Sequence, residues 1–376
     1  MSATLVLAYD DFHTPLRELA ETVGDAVVLH VRLGGRDGEP RVAAGQRIRV
    51  VDACERFCDG YLVPAVKANA VYGGGYALSA ALARPLLAEV CADVARDEGA
   101  ATVVHGFAGN DQLRFEMAMR ALAPELALVP VAALIGSRNS STGHGPTVSD
   151  NLWGRSVEAG PLSDPGRAAP AAVLGWCDPD ARAVEKHRVR FERGRPVALD
   201  GEALPMRALV EQLNAAGART GAGLTDTVED GFVGLKTRAV YEAPAAAALI
   251  AAHGDLERLV SSRRQNHFKP LVDRAWAELV YDGLWFDPQR RSLDAYVDEV
   301  NARVSGEVEL VLGPGGVRVA ARSAPAALYD EREAVYRIGQ DVGVEALPAV
   351  AELVSAPMRA AARRNASATE TSAWNG

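Results

Sequence analysis

Glycine is absent from the ten residues Leu5 to Thr14, LVLAYDDFHT, where a chain that grips phosphate would turn from its first strand into a loop of small residues. A phosphate cradle at a strand-to-helix turn needs backbone N–H groups that can approach the anion and a helix N-terminus left unobstructed. Asp10 and Asp11 stand there instead, so the sequence predicts that this turn cannot hold phosphate in the usual way. Cysteine is scarce: four in 376 residues exclude a disulfide framework and point to a reducing compartment, the cytoplasm. An excess of positive charge is missing too. The net charge of −9 argues against nucleic acid as a partner, because affinity for its backbone comes from clustered Lys and Arg, and leaves small molecules as the expected ligands. Long apolar runs are also lacking: Ala245 to Ala252 is the most apolar stretch and is far too short to span a bilayer, so no membrane association is expected.

What is present is enough chain for two domains with substantial cores. The first half alternates strand-like runs (4–8, 26–31, 48–52, 101–105) with helical stretches, from about Pro15 and over 77–98, and this order predicts an α/β fold with a parallel sheet and crossover helices. Thr14-Pro15 reads as a cap followed by proline at the first helical position. Segments rich in Ser, Gly and Asn (137–146) and in Pro, Ala and Asp (160–180) mark connections near a domain boundary. Beyond them the pattern is α+β: strands at 188–192 and 196–199, a helix near 205–217, a hairpin of 226–229 and 232–236 turning at Asp230-Gly231, helices over 245–263 and 288–305, and a hairpin around 313–316. The predicted organisation is an α/β domain over 1–150, an α+β domain over 151–345 and a helical arm with a tail over 346–376, the polar last dozen residues being expected to be disordered.

Several side-chain groups are candidates for chemistry. His105-Gly106 closes a strand and is followed by Asn110, Asp111 and Arg114; an Asn-Asp pair can cap a helix or bind an amine, and an arginine one turn later can fork onto a carboxylate, although a solvated cap and a surface arginine are the commoner outcome. Glu229 and Tyr241 flank the predicted hairpin turn and can hold an ammonium and an amide, although a core tyrosine and an exposed glutamate are the commoner outcome. Tyr72-Gly-Gly-Gly-Tyr76 lacks the Lys-Ser/Thr of a phosphate loop and reads as a flexible turn. Cys54 and Cys58 lie four apart, as half a metal site or, more simply, as buried core thiols. Asp10, Asp11 and His13 offer oxygen and nitrogen donors for a divalent metal, against the plainer reading of a solvated loop.

The stretches PAVKANAVYGGGYALSAALARPL, VVHGFAGNDQLRFE, SDNLWGRSVEAGPLSDP, VEDGFVGLKTRAVYEAP, AELVYDGLWFDP and APAALYDE, in this order, resemble the argininosuccinate synthase family over about residues 4 to 345. The resemblance implies an adenine nucleotide alpha hydrolase-like N-terminal domain and a C-terminal synthetase and multimerisation domain in a homotetramer. It also implies a ligase that activates the ureido oxygen of citrulline with ATP and lets the amine of aspartate displace AMP. By position, Tyr76, Asn110, Arg114, Thr147, Ser156, Glu229 and Tyr241 match the citrulline site, and Asn110 and Asp111 match the aspartate site. Thr147 exchanges one hydroxyl for another.

The departures fall at the nucleotide. Where the family reads AYSGGLDTS, this chain reads Ala8-Tyr9-Asp10-Asp11-Phe12-His13-Thr14-Pro15-Leu16, and the turn at Gly106 belongs to HGFAGNDQ, two residues shorter than the family's HGATGKGNDQ. Ala80 and Ala81 replace a Thr-Ser pair, and Phe107 or Ala108 falls near a threonine that contacts aspartate. Loss of two or three charge-assisted bonds at about 1.5 to 3 kcal/mol each removes several orders of magnitude of pyrophosphate stabilisation. A carboxylate about 4 Å from a phosphate adds roughly 1 to 4 kcal/mol of repulsion. Three readings follow: an enzyme of altered substrate, suited to secondary metabolism, that joins an aspartate-like amine to a citrulline-like ureido or carbamoyl group without ATP used in the family's manner; a catalytically silent subunit acting as partner or regulator; and a metal-dependent hydrolase or lyase built on Asp10, Asp11 and His13. ATP is a doubtful cofactor in all three.

Overall fold

The computed structural model describes residues 4–9, 26–34, 47–135, 145–330 and 345–373. The loop at Asp10, Asp11, His13 and Thr14 and the helix expected from Pro15 lie outside these residues.

Five short strands form the first sheet: β1 (Thr4–Tyr9), β2 (Ala26–Arg32), β3 (Arg47–Asp52), β4 (Thr102–His105) and β5 (Ala127–Pro130). All four pairings are parallel and the order is β3-β2-β1-β4-β5. β2, AVVLHVR, is buried along nearly its whole length, as a strand covered on both faces must be, whereas β3 at the edge alternates exposed and half-buried residues. The order reverses between β1 and β4, and ligands of open α/β sheets bind at the carboxyl ends of strands beside such a switch. β1 ends at Tyr9 and β4 at His105, so in the sequence Asp10-Asp11 and Gly106 come directly after the two strands that flank it.

Between these strands lie α1 (Cys54–Phe57), a π-helical turn (Cys58–Leu62), α2 (Val63–Lys67), the long α3 (Ser79–Asp97), α4 (Gly109–Leu122) and the short α5 (Val131–Ile135). Cys54 and Cys58 are fully buried, and burial pushes the Cys58 thiol up to about 12, so both are core residues. Among the described residues no group of three or more His, Cys, Asp or Glu is placed to hold a metal ion, and no helix is long and apolar enough to cross a membrane.

The second half carries two antiparallel sheets. One, in the order β11-β12-β7-β6, is built from β6 (Thr147–Asn151), β7 (Gly154–Glu158), β11 (Leu224–Asp230) and β12 (Lys236–Glu242). The other, in the order β10-β9-β8-β13-β14, uses β8 (Glu185–Glu192), β9 (Arg195–Leu199), β10 (Glu202–Ala203), β13 (Gly306–Gly313) and β14 (Gly316–Ser323). The helices are α6 (Met206–Thr220), α7 (Pro244–Val260), α8 (Arg263–Tyr281) and α9 (Pro288–Asn301). One continuous apolar core runs from Leu5 and Leu29 through Leu82, Trp153 and Trp276 to Leu310. An α/β half with a parallel sheet followed by an α+β half is the fold class that the sequence predicts.

Apart from β5, β6, β7 and β10, strands that the sequence reading does not contain, three elements differ from it. The hairpin turns over residues 231–235 rather than at Asp230-Gly231 alone, so Phe232, Val233 and Leu235 are exposed in the loop and not strand residues. α8, a nineteen-residue helix, is missing from the sequence reading because Pro270 interrupts its pattern; a capping box between Ser262 and Gln265 starts it, and a stripe of Val272, Trp276 and Val280 buries it. A second compact unit lies within Ala327–Gly376, in which α10 (Ala346–Ala373) continues through residues expected to be disordered.

Candidate active site

Alternation along the β11-β12-β7-β6 sheet decides which side chains meet. Ser156 pairs with Tyr241 on one side and Ser149 on the other, and Glu158, two residues on, pairs with Ala239 and Thr147. Because side chains two apart on a strand share a face, Thr147, Ser149, Ser156, Glu158 and Tyr241 all stand on one side of the sheet. Glu229 on β11 lies opposite Thr237 and joins them there. Its two carboxylate oxygens accept from the phenols of Tyr241 at 3.0 Å and Tyr281, the last residue of α8, at 3.1 Å. Burial raises the Glu229 carboxyl above its ordinary range, against the opposing effect of both phenols and Arg114.

Four tyrosines wall this carboxylate. Tyr76 stacks on Tyr241 with ring centroids 4.5 Å apart, and Tyr72 stacks on Tyr281 at 3.5 Å. The Tyr76 hydroxyl accepts from the N–H groups of Ala80 and Ala81 at 3.0 and 3.1 Å, at the start of α3. With its lone pairs so engaged, its own proton is left to donate to a ligand. Burial pushes the Tyr76 phenol up to about 12, so that proton stays in place at neutral pH.

The glycines between Tyr72 and Tyr76 make a close approach rather than the flexible turn expected. Tyr72 and Tyr76 bridge to each other, and a Cβ at Gly75 would stand 2.4 Å from Thr225 Cγ2. Gly75→Ala is therefore expected to lower the unfolding free energy by about 1 to 3 kcal/mol through overpacking, read by urea denaturation; an unchanged midpoint would show that the loop moves aside freely.

Charged residues line the other wall. Asp111 does not cap α4, as the sequence suggests, but lies between two arginines, its Oδ2 accepting from Arg84 at 2.7 Å and its Oδ1 from Arg114 at 2.9 Å. Burial opposes ionisation of Asp111, yet the two guanidiniums outweigh it and hold the carboxyl below the usual range. Arg114 is not a surface arginine: it is 5% exposed, donates from Nε to the Tyr281 carbonyl at 2.7 Å and covers the Tyr281 ring. Glu158 keeps part of its side chain in solvent, but the protein crowded around it, then Asp111 and Glu229, push its carboxyl up to about 7.

Among the matched positions, Tyr76, Arg114, Ser156, Glu229, Tyr241 and Asp111 therefore form one contiguous cluster. Asn110 and Thr147 reach it from the edge: Asn110 Nδ2 lies 3.7 Å from where a Cβ of Gly231 would be, and Thr147 is exposed beside Glu158. Gly106 is half-buried at the end of β4, after a fully buried His105 whose Nε2 is 3.5 Å from Glu116. For Ala8 and Tyr9 only the backbone, in β1, is described. The sequence reading missed Arg84, Ser149, Glu158, Tyr72 and Tyr281. The i, i+2 spacing from Ser156 was signal enough for Glu158, whereas Arg84 and Tyr281 come from distant helices whose convergence no local pattern encodes.

Two family models match the chain: the arginosuccinate synthase N-terminal HUP domain over residues 36–145 and the arginosuccinate synthase C-terminal domain over residues 147–359. The argininosuccinate synthase of Rubrobacter xylanophilus is 41% identical over 364 residues, 88% of each chain, and that of Pyrococcus furiosus is 38% identical over 359 residues, again 88% of each. That of Methanococcus maripaludis is 42% identical over 301 residues, 75% of this chain and 76% of its own. A parallel HUP-type sheet, an α+β second half and similarity across most of the sequence place this chain in the argininosuccinate synthase family of C–N bond-forming ligases.

Proposed function

We propose that the protein joins the amine of an aspartate-like substrate to the ureido or carbamoyl carbon of a citrulline-like one, and that it does so without gripping ATP as its relatives' pattern implies. The observation that carries the first half is the cluster of tyrosines and charged side chains around Glu229. A carboxylate held by two phenols suits a ligand ammonium, Arg114 suits a carboxylate, and the Tyr76 hydroxyl supplies a donor between them. Asn110 and Asp111 are assigned to the amine-bearing partner, with Arg84 and Arg114 fixing the Asp111 carboxylate. In the bond-forming step the amine nitrogen gives its lone pair to the carbon, a leaving group departs from that carbon with its bonding pair, and the nitrogen releases a proton.

The second half rests on Asp10, Asp11 and Pro15, which replace the small residues and N–H donors of the family's pyrophosphate loop. The carbon then arrives already activated, and the changes at Ala80, Ala81 and Ala108 suit a substrate of secondary metabolism. A homotetramer, a cytoplasmic location and a division into 1–150, 151–345 and 346–376 complete the reading; the break between the two family matches, at 145 and 147, supports the first boundary.

The same loop favours a second reading, a catalytically silent partner subunit. Isothermal titration with ATP, L-citrulline and L-aspartate separates the two, with pyrophosphate release followed in parallel. Amino-acid binding without ATP is the expected result. ATP binding with pyrophosphate release sinks the claim about the loop, and silence from all three ligands favours the partner subunit.

A further inference from the structure

Behind the tyrosine wall lies a buried polar cluster that the proposed chemistry does not use. Asn69 ends the turn after α2 with φ of 42°, a left-handed conformation that costs a non-glycine residue free energy unless its surroundings enforce it. Its side chain is held on three sides: Nδ2 donates to Glu257 Oε1 at 3.1 Å and to Asp273 Oδ2 at 3.0 Å, and Oδ1 lies 2.7 Å from His253 Nδ1. Lys269, 2% exposed, joins both carboxylates, lying 3.1 Å from Glu257 and hydrogen-bonded to Asp273, and also donates to the Lys67 carbonyl at 3.0 Å.

Two routes run from this cluster to the pocket. Along the chain, the segment between Asn69 and Leu78 carries both Tyr72 and Tyr76, and Leu78 at its far end is again left-handed, with φ of 63°. Along α8, residues 269, 273, 277 and 281 are all buried, so that one helix links Lys269 and Asp273 to Tyr281. Tyr281 in turn stacks on Tyr72 and donates to Glu229.

We propose that Asn69 is a positioning residue of the pocket: clamped by Glu257, Asp273 and His253, it fixes the path of residues 70–78 and so the placement of Tyr72 and Tyr76 around Glu229. The inference deepens the amino-acid-binding reading and rests on it for its binding measurement alone. Glycine adopts the left-handed conformation without strain, so Asn69→Gly removes the clamp while leaving the backbone conformation accessible.

The test compares full-length wild type, Asn69→Gly and Leu310→Ala, the last being a fully buried core truncation in β13 that destabilises while leaving every hydrogen-bonding group of the clamp in place. Hydrogen–deuterium exchange over residues 70–82 and isothermal titration with L-citrulline are the readouts, both taken well below the melting temperatures. Asn69→Gly is expected to speed exchange in 70–82 and weaken citrulline binding, each at least about tenfold (about 1.4 kcal/mol), while Leu310→Ala changes neither. Wild-type exchange in Asn69→Gly overturns the proposal, because backbone permissiveness then suffices, and so does equal loosening of 70–82 in Leu310→Ala. If wild type itself does not bind citrulline, the functional reading fails on its own, and the exchange comparison still decides the role of Asn69.

Discussion

Glu229→Gln is expected to weaken the binding of L-citrulline by about 10- to 150-fold, the equivalent of one charge-assisted hydrogen bond of about 1.5 to 3 kcal/mol. Glutamine keeps the shape and can still accept from one phenol, so the fold survives and the loss falls on the ligand's ammonium. Isothermal titration at pH 7.5 reads the effect, and affinity within twofold of wild type would remove Glu229 from the ligand.

The pH dependence has a definite sign. Burial raises the Glu229 carboxyl above its ordinary value, so it takes up its proton at a higher pH than a solvated glutamate does. Ionised Glu229 then costs the empty protein stability: its contribution is most favourable below about 4.5, the unfolded value, and declines as pH rises through the folded one. A bound ammonium offsets that cost. Citrulline affinity in wild type is therefore expected to fall with decreasing pH sooner than an ordinary carboxylate would dictate, and Glu229→Gln to lose that limb of the profile.

Glu242→Gln has the largest expected effect on stability, a loss of about 3 to 5 kcal/mol, the range for breaking a buried ion pair on one side. Glu242 is fully buried at the end of β12, one residue beyond Tyr241. Its carboxylate pairs with Arg155 and accepts from the backbone N–H groups of Gly175 at 3.0 Å and of Trp176 and Cys177 at 2.7 Å. An amide in its place turns an NH2 group toward N–H donors and leaves the Arg155 charge, in a side chain only 13% exposed, without its counter-ion. Urea unfolding measures the loss; a change below about 1 kcal/mol would mean that water or a rearranged 173–177 segment takes over the carboxylate's role.

Glu242 was unreadable in the sequence for the reason that Arg84 and Tyr281 were. Its partners come from residues about 65 to 90 positions away, and nothing in VYEAP separates a carboxylate that anchors a distant loop from one that faces water. α8 was obscured locally, since Pro270, eight residues into the helix and past its first turn, removes an intrahelical hydrogen bond and reads in the sequence as a breaker, whereas the capping box and the buried stripe that hold the helix are visible only once it packs.

The sequence by itself determined the alternation that makes the first half a parallel sheet, the antiparallel pattern of the second, the family, and the replacement of a glycine loop by Asp10-Asp11. These are properties of local periodicity and residue type, which act over a few neighbours. Tertiary structure alone decided that Arg114 is buried rather than solvated, that Asp111 bridges two arginines rather than capping a helix, and that Tyr72, Tyr76, Tyr241 and Tyr281 meet around Glu229. Burial and charge pairing between segments up to about two hundred residues apart depend on how sheets and helices pack, and no window of sequence contains that information.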